Sequence, residues 1–417
     1  MTSPKAPSGW AQTGLARIAR GDRARKAHVM RDTKAPFVLL DDARSDARGD
    51  AHAFLFTEPQ GIIQAERMDD VAPCLDRMRF ALSRGRYLAG YLAYEAGMAF
   101  EPKMSQLAVQ SDTPLLWFGE FDTPRVYEPH TFRRRPRYEP PLFRPLTDAA
   151  RYNQELKRIA TYISAGDIYQ ANFTFDAVVD VPPDALAELY WQLRPRQRAG
   201  WGALVETASQ TIVSLSPENF FTLDQGRVCV RPMKGTAARQ REVVADMAAA
   251  RLLAANPKDR AENLMIVDLL RNDLSRVSTP GSVKVTSLFD VETYPTVHQM
   301  TSTITSRLAG DCDAVRLLTS MFPCGSVTGA PKIRAMEIIA ETERRSRGIY
   351  TGSIGYLAPD GSSAFNVAIR TIDSSFGRPP HMGIGSAIVV DSVAEDELAE
   401  CLAKARFLTD ARSGTGA

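Results

Sequence analysis

The stretch 226-GRVCVRPMKGT-236 decides the fold class. Apolar and polar residues alternate along it, so it reads as a strand ending in a Gly-Thr turn. Strands are also predicted at 168–180, 203–214 and 219–224, and helices follow at 240–255 and 258–274. That is more strand than a simple βαβ alternation supplies, which predicts an α+β chain with mainly antiparallel sheets. Lys234 then stands at a strand end beside Gly235, where something can approach the backbone closely. A lysine there is either a solvated surface charge or a nitrogen placed for chemistry.

Working outward, 36-PFVLLDDAR-44 reads as a buried strand running into a turn, 68–84 as an amphipathic helix and 85–101 as a glycine-bearing strand region. The Pro- and Arg-rich run 124–148 is the best linker in the chain. After it, Asp148 caps a helix with Tyr152, Leu156, Ile159 and Ile163 on one face, ending at Gly166. Residues 1–34 carry eight Lys and Arg against Asp22 and Asp32, and we read them as a disordered basic extension in preference to a transit peptide. The chain thus divides into that extension, an N-terminal portion 35–145 and a larger portion 146–417.

Composition narrows the class. An apolar fraction of 44% and a charged fraction of 24% are those of a globular protein. A net charge of +2 over 417 residues implies no basic face and no nucleic-acid partner. Apolar runs such as 263-NLMIVDLL-270 are too short to cross a bilayer. Five scattered cysteines with no C-x-x-C form neither a disulfide framework nor a zinc site, which fits a reducing, cytoplasmic setting.

Several segments carry candidate chemistry. On a helix over 258–277, Glu262 shares a face with Met265, Ile266 and Leu269, and a carboxylate on that side needs a partner or a metal. It is equally a residue that the positive end of the helix dipole favours. In 395-EDELAECLAKARFL-408, Glu397, Glu400 and Lys404 form one stripe; two carboxylates at that spacing suit a hard cation, and such pairs also decorate helix surfaces. The run 383-GIGSAIVVDS-392 reads as a small-residue turn whose N–H groups suit a carboxylate. Arg370 ends an alternating strand, where a guanidinium suits the same ligand class. Glu218 lies at a Pro-marked strand junction, and His298 is one of five histidines, more often structural than catalytic when alone. In 321–339 a Gly/Ser/Thr loop leads into a helix with Pro331 at its first position.

Taken together these segments resemble the chorismate-utilising enzymes. The matching stretches are 166-GDIYQANFT-174, 214-SLSPENFF-221, 232-PMKGTAAR-239, 261-AENLMIVDLLRNDL-274, 297-VHQMTSTIT-305, 322-FPCGSVTGAPKIRAMEII-339, 347-RGIYTGSIGY-356, 367-VAIRT-371 and 388-IVVDS-392 with the helix bearing Glu397, Glu400 and Lys404. They stand in the family's order and span about residues 150–410. The resemblance implies an α/β (α+β) sandwich like anthranilate synthase component I: two mainly antiparallel sheets flanked by helices, with the site in a cleft between them.

Lys234 looks like the residue that separates the branches. Members that form anthranilate carry alanine there, and those that form aminodeoxychorismate carry lysine; isochorismate-forming members place a lysine at the position of Gln170. The resemblance therefore implies Mg2+-dependent amination of chorismate to 4-amino-4-deoxychorismate, on the route to para-aminobenzoate and folate. Anthranilate formation is the alternative, and a non-catalytic chorismate-binding subunit a third reading.

By the same resemblance Glu218 is the acid, Lys234 the attacking amine and His298 a further catalytic position. Glu262, Glu397 and Glu400 would hold Mg2+. Arg370, Tyr350, Thr328, Gly385, Ser386, Ala387 and Lys404 would contact substrate. Two departures stand out: Ala387 replaces a family glycine, and Cys324 sits where glycine or alanine is familiar. The chain has no glutaminase segment and no fused lyase, so ammonia is expected from a separate glutamine amidotransferase subunit and product is expected to pass to a separate aminodeoxychorismate lyase.

Overall fold

The computed structural model describes residues 9–21, 33–44, 53–101, 103–104, 111–127, 139, 141–294, 297–375 and 377–409. Elements are numbered along the chain. One ten-stranded sheet contains β1 (Phe37–Asp41), β2 (Ala53–Thr57), β6 (Arg125–Tyr127), β7 (Phe143–Pro145), β8 (Gln170–Val179), β9 (Trp201–Glu206), β10 (Gln210–Ser216), β16 (Gly329–Ala330), β19 (Thr371–Ser375) and β20 (His381–Ile388). The other, also of ten strands, contains β3 (Gly61–Ala65), β4 (Tyr87–Leu92), β5 (Leu116–Phe121), β11 (Asn219–Asp224), β12 (Arg227–Val230), β13 (Met233–Ala238), β14 (Lys284–Thr293), β15 (Val297–Arg307), β17 (Ser353–Leu357) and β18 (Ser363–Asn366). Every strand pair is antiparallel, as the run of strands predicts.

Three apolar layers hold the sheets. In β1, Phe37 and Leu39 pack outward against helices while Val38 and Leu40 point between the sheets, so both faces are buried and the strand reads as a continuous apolar run. The inter-sheet layer is aromatic: Phe54, Phe56, Tyr91, Trp117, Trp201 and Tyr356 meet there. Outside the first sheet lie α4 (Ala149–Ser164), α5 (Leu186–Gln197), α9 (Lys332–Glu343) and α10 (Ala394–Ala405). Outside the second lie α2 (Met68–Ser83), α7 (Pro257–Ser275) and α8 (Ala314–Met321). α1 (Ala16–Gly21), α3 (Ala96–Ala99) and α6 (Val243–Ala255) complete the helices of the described residues.

Several expectations are corrected. Within the expected disordered extension, residues 9–18 are packed: Trp10 is fully buried, donates its indole N–H to Gly202 O at 2.8 Å and stacks edge-on against Trp201. A tryptophan there has apolar area enough to hold a basic segment against the core. Residues 1–8 and 22–32 of that extension lie outside the described ones. The predicted strand 203–214 is two strands, because Thr207 turns the chain back, accepting from the backbone N–H groups of Ser209 and Gln210 on its hydroxyl. α5 was not foreseen; Pro195 within it blurs its helical pattern. The ends of the linker run, β6 and β7, are strands of the first sheet, and its centre lies outside the described residues. Pro331 caps α9 from one position before the helix.

Candidate active site

Lys234 does not end a strand. Pro232 lacks an N–H and breaks the ladder after β12, and pairing with β15 resumes at Met233. The register then slips between Met233 and Thr236 around Gly235, at φ 79°. This bulge re-aims the lysine. A Cβ at Gly235 would lie 2.9 Å from the Asp259 side chain, so glycine also lets the first turn of α7 come close.

Lys234 is only partly accessible. Burial lowers its pKa and the Lys404 charge adds to that, while Glu262, Glu218 and Glu400 pull it back up. Glu218, between β10 and β11, is buried, and burial pushes its carboxyl up to about 7 against the opposing pull of a Ser326 hydrogen bond and the Lys234 charge. The Ser326 hydroxyl donates to Glu218 Oε1 at 2.8 Å. An acid whose pKa is raised to about 7 thus shares a field with an amine whose pKa burial lowers.

Glu262 comes from the second turn of α7, which Asn256 caps by accepting from the N–H groups of Lys258 and Asp259 at 2.9 and 3.2 Å. Its carboxyl is raised by burial, with Lys234 and Lys258 opposing and Asp259 and Glu397 reinforcing. Glu397 and Glu400 come from α10, which packs on β20. Glu397 is buried and accepts from the Ser392 hydroxyl at 2.6 Å; Glu400 is exposed and pairs with Lys404 at 2.8 Å. For Glu400 burial works against ionisation, but Lys404, Lys234 and Lys258 outweigh it and hold it below its usual range. The two helices thus bring three carboxylates and two ammonium groups within electrostatic reach of Lys234 on β13. Among the described residues no three His, Cys, Asp or Glu side chains are close enough to hold a metal as they stand. The donor set, all oxygen and with repulsion between Glu262 and Glu397, has the chemistry a hard dication relieves.

The segment 385–387 is not a turn. It is the second half of β20, paired with Thr174, Phe173 and Asn172 of β8. β19 pairs with β20 only through Met382, so the opposite edge of β20 opens there, and Lys404 Nζ reaches Gly385 O at 3.0 Å. Tyr350 packs on this strand: a Cβ at Gly383 would stand 2.0 Å from its ring. Arg370 takes a left-handed φ of 51°, which turns its side chain out of the strand direction. Burial lowers its pKa, Tyr294 opposes, and the one described hydrogen bond of its guanidinium is to Gln197 Oε1 at 3.4 Å. A guanidinium with so little satisfaction is ready for a carboxylate.

Two expected contacts are engaged elsewhere. Thr328 donates its hydroxyl back to Cys324 O and Gly325 O, both at 3.2 Å, and so closes its own loop. His298 has both ring nitrogens taken, by Thr293 Oγ1 at 3.0 Å and Asp246 Oδ1 at 2.9 Å. Asp246 also pairs with Arg239, so His298 ties β15 to α6. Sequence reasoning missed Ser326 and Lys258. The first lies inside a quoted motif and two residues from the one chosen; the second lies one position after a helix-starting proline, with nothing local to mark it.

The family described as chorismate binding enzyme matches residues 36–410. Aminodeoxychorismate synthase component 1 of Salmonella typhimurium is 43% identical over 253 residues, 61% of this chain and 55% of that protein. The protein of that name from Bacillus subtilis is 38% identical over 61% of this chain and 54% of its own length. The match thus spans about half the length of these curated relatives. Among solved structures, anthranilate synthase component I from Streptococcus pneumoniae superposes with a TM-score of 0.73 at 23% identity, covering 98% of this chain and 100% of that one. Menaquinone-specific isochorismate synthase from Escherichia coli superposes with a TM-score of 0.69 at 17% identity, covering 93% and 92%. These likenesses agree with the expected sandwich.

Proposed function

The chain belongs to the chorismate-binding enzymes, and on that footing we propose that it aminates chorismate at C4 to give 4-amino-4-deoxychorismate. The observation that carries this reading is the pairing of Lys234 with Glu218 in one buried field, with the lysine's pKa lowered and the carboxyl raised to about 7. Neutral Lys234 attacks C2; the ring double bonds shift, and the C4–O bond breaks as Glu218 protonates the departing hydroxyl. Ammonia then attacks C4, the double bonds shift back and the C2–N bond to Lys234 breaks. Arg370 and the open edge of β20 hold the enolpyruvyl carboxylate, and Tyr350 bounds that end of the site.

Glu262, Glu397 and Glu400 are the residues that would hold Mg2+, which when bound supplies positive charge for the ring carboxylate. For Glu400 to serve as a ligand, Lys404 would have to release it from their ion pair. Ammonia comes from a glutamine-hydrolysing partner, and product passes to a separate lyase. The outward face of α6, with Val243, Val244, Met247 and Leu252 all more than half exposed, is apolar surface of the kind a partner covers. The five free cysteines fit a cytoplasmic setting, and among the described residues no helix is long and apolar enough to cross a membrane.

The test is the product formed from chorismate, Mg2+ and ammonium, analysed by mass spectrometry for the wild type and Lys234→Ala. An aminated product that keeps its enolpyruvyl group and is lost in the variant supports the reading. Anthranilate and pyruvate would replace it with the alternative branch.

A further inference from the structure

Behind Glu218 lies a thiol that the proposed mechanism does not use. Cys324 is buried, and its Sγ is 3.3 Å from Ser326 Oγ, the hydroxyl that donates to Glu218 Oε1 at 2.8 Å. A serine hydroxyl has one proton. When that proton points at the Glu218 carboxylate, the sulfur contact has only one polarity left: S–H donating to Oγ. With Glu218 protonated on Oε1, that O–H donates to Ser326 Oγ, and the serine proton is free to turn to the sulfur as a weak acceptor.

We propose that Cys324 is a positioning residue for Glu218, acting through Ser326 as a three-member hydrogen-bond chain whose direction reverses with the protonation of the carboxyl. In the ionised state the S–H makes the serine a better donor, so the carboxylate left by proton release is the better stabilised end of the chain. Burial and the Glu218 charge push the thiol up to about 12, so Cys324 stays protonated throughout and never competes as the acid. The other groups facing this chain are Lys234 and the Met233 N–H beside Glu218, and Lys332, itself paired with Asp273, beside Cys324. None of them replaces the thiol as donor to Ser326.

The inference rests on Glu218 being the proton donor, so its test needs a readout that does not require turnover. Infrared titration of the purified protein supplies one. The Glu218 carboxyl band is assigned by its loss in Glu218→Gln, and the Cys324 S–H band by its loss in Cys324→Ala. The two bands are expected to change with one midpoint in the wild type. Cys324→Ala moves the carboxyl midpoint up by about half a pH unit, the scale of one weak hydrogen bond. Cys324→Ser, a worse filler of this apolar cluster but a better donor, returns it to the wild-type value or below. The acid-dependent limb of kcat moves in parallel while KM for chorismate stays put.

An S–H band that ignores the Glu218 transition overturns the proposal, and the wild type alone decides this if the alanine variant does not fold. So does serine behaving as alanine, which is what a merely space-filling role would give. Normal coupling of the bands in a protein that does not aminate chorismate would leave the chain of hydrogen bonds standing and remove the proposed reaction.

Discussion

Lys234 and Glu218 each oppose the neutral form of the other: burial drives the lysine's pKa down and the carboxyl's up, and the charge of each partner works against that shift. Removing the ammonium therefore raises the Glu218 midpoint further above its wild-type value of about 7. Lys234→Met is expected to show that rise by infrared titration and to lose amination by roughly 100-fold or more, the scale of a lost catalytic group.

Glu218 also makes stability depend on pH. Its folded pKa, about 7, lies above the value of about 4.3 of a free glutamate, so in that interval the folded state keeps a proton that the unfolded state releases. Stability contributed by this group falls as pH rises from about 4.3 to about 7 and is flat beyond. Glu218→Gln removes the effect. Urea unfolding should find the variant more stable than wild type at pH 8, by on the order of 3 kcal/mol, with little difference at pH 4.

The carboxylates of α7 and α10 give a prediction about metal. Mg2+ is expected to raise the thermal midpoint of the wild type and to do so much less in Glu262→Gln, where the repulsion with Glu397 is already gone. Glu400→Gln also frees Lys404 from its ion pair. A chelator should abolish amination without unfolding the protein, which circular dichroism checks.

Gly383 is a steric test of the proposed substrate end of the site. Any Cβ there meets the Tyr350 ring at 2.0 Å. Gly383→Ala is expected to displace the ring and raise KM for chorismate several-fold, with kcat changed less because Lys234 is on the other sheet and Glu218 lies in the link between β10 and β11. Steady-state kinetics of the variant read out this split directly.

Trp10 predicts that the amino-terminal segment is part of the fold. It is fully buried, and Arg17 of the same segment pairs with Asp224 at 2.6 Å and Asp360 at 2.8 Å. Trp10→Ala should cost about 3–5 kcal/mol in urea unfolding. Arg17→Ala, whose ion pairs are exposed, should cost under about 1 kcal/mol.

The legible parts of this protein were those with a local signature. Asp148 marks a helix start by chemistry its own neighbour answers, accepting from the Arg151 N–H. β1 declares burial on both faces by having no polar alternation. What escaped depends on distant partners. Trp10 looked like part of a charged tail because its indole acceptor lies 192 residues away. The bulge that re-aims Lys234 needs the register of β15, which no window around 226–236 contains. His298 was placed in the site, yet its nitrogens are spent on Asp246 and Thr293. Ser326 acquires meaning only once Glu218, 108 positions earlier, is seen beside it.

The strand order has a consequence for how this chain can be divided. β17 lies between β4 and β18, and β1 lies between β2 and β9, so in each sheet a strand from before the proline-rich run pairs directly with one from after it. The portions 35–145 and 146–417 are therefore not modules that evolution or an engineer can exchange. A cut in that run would release two fragments, each with unpaired strand edges in both sheets, soluble only in each other's company.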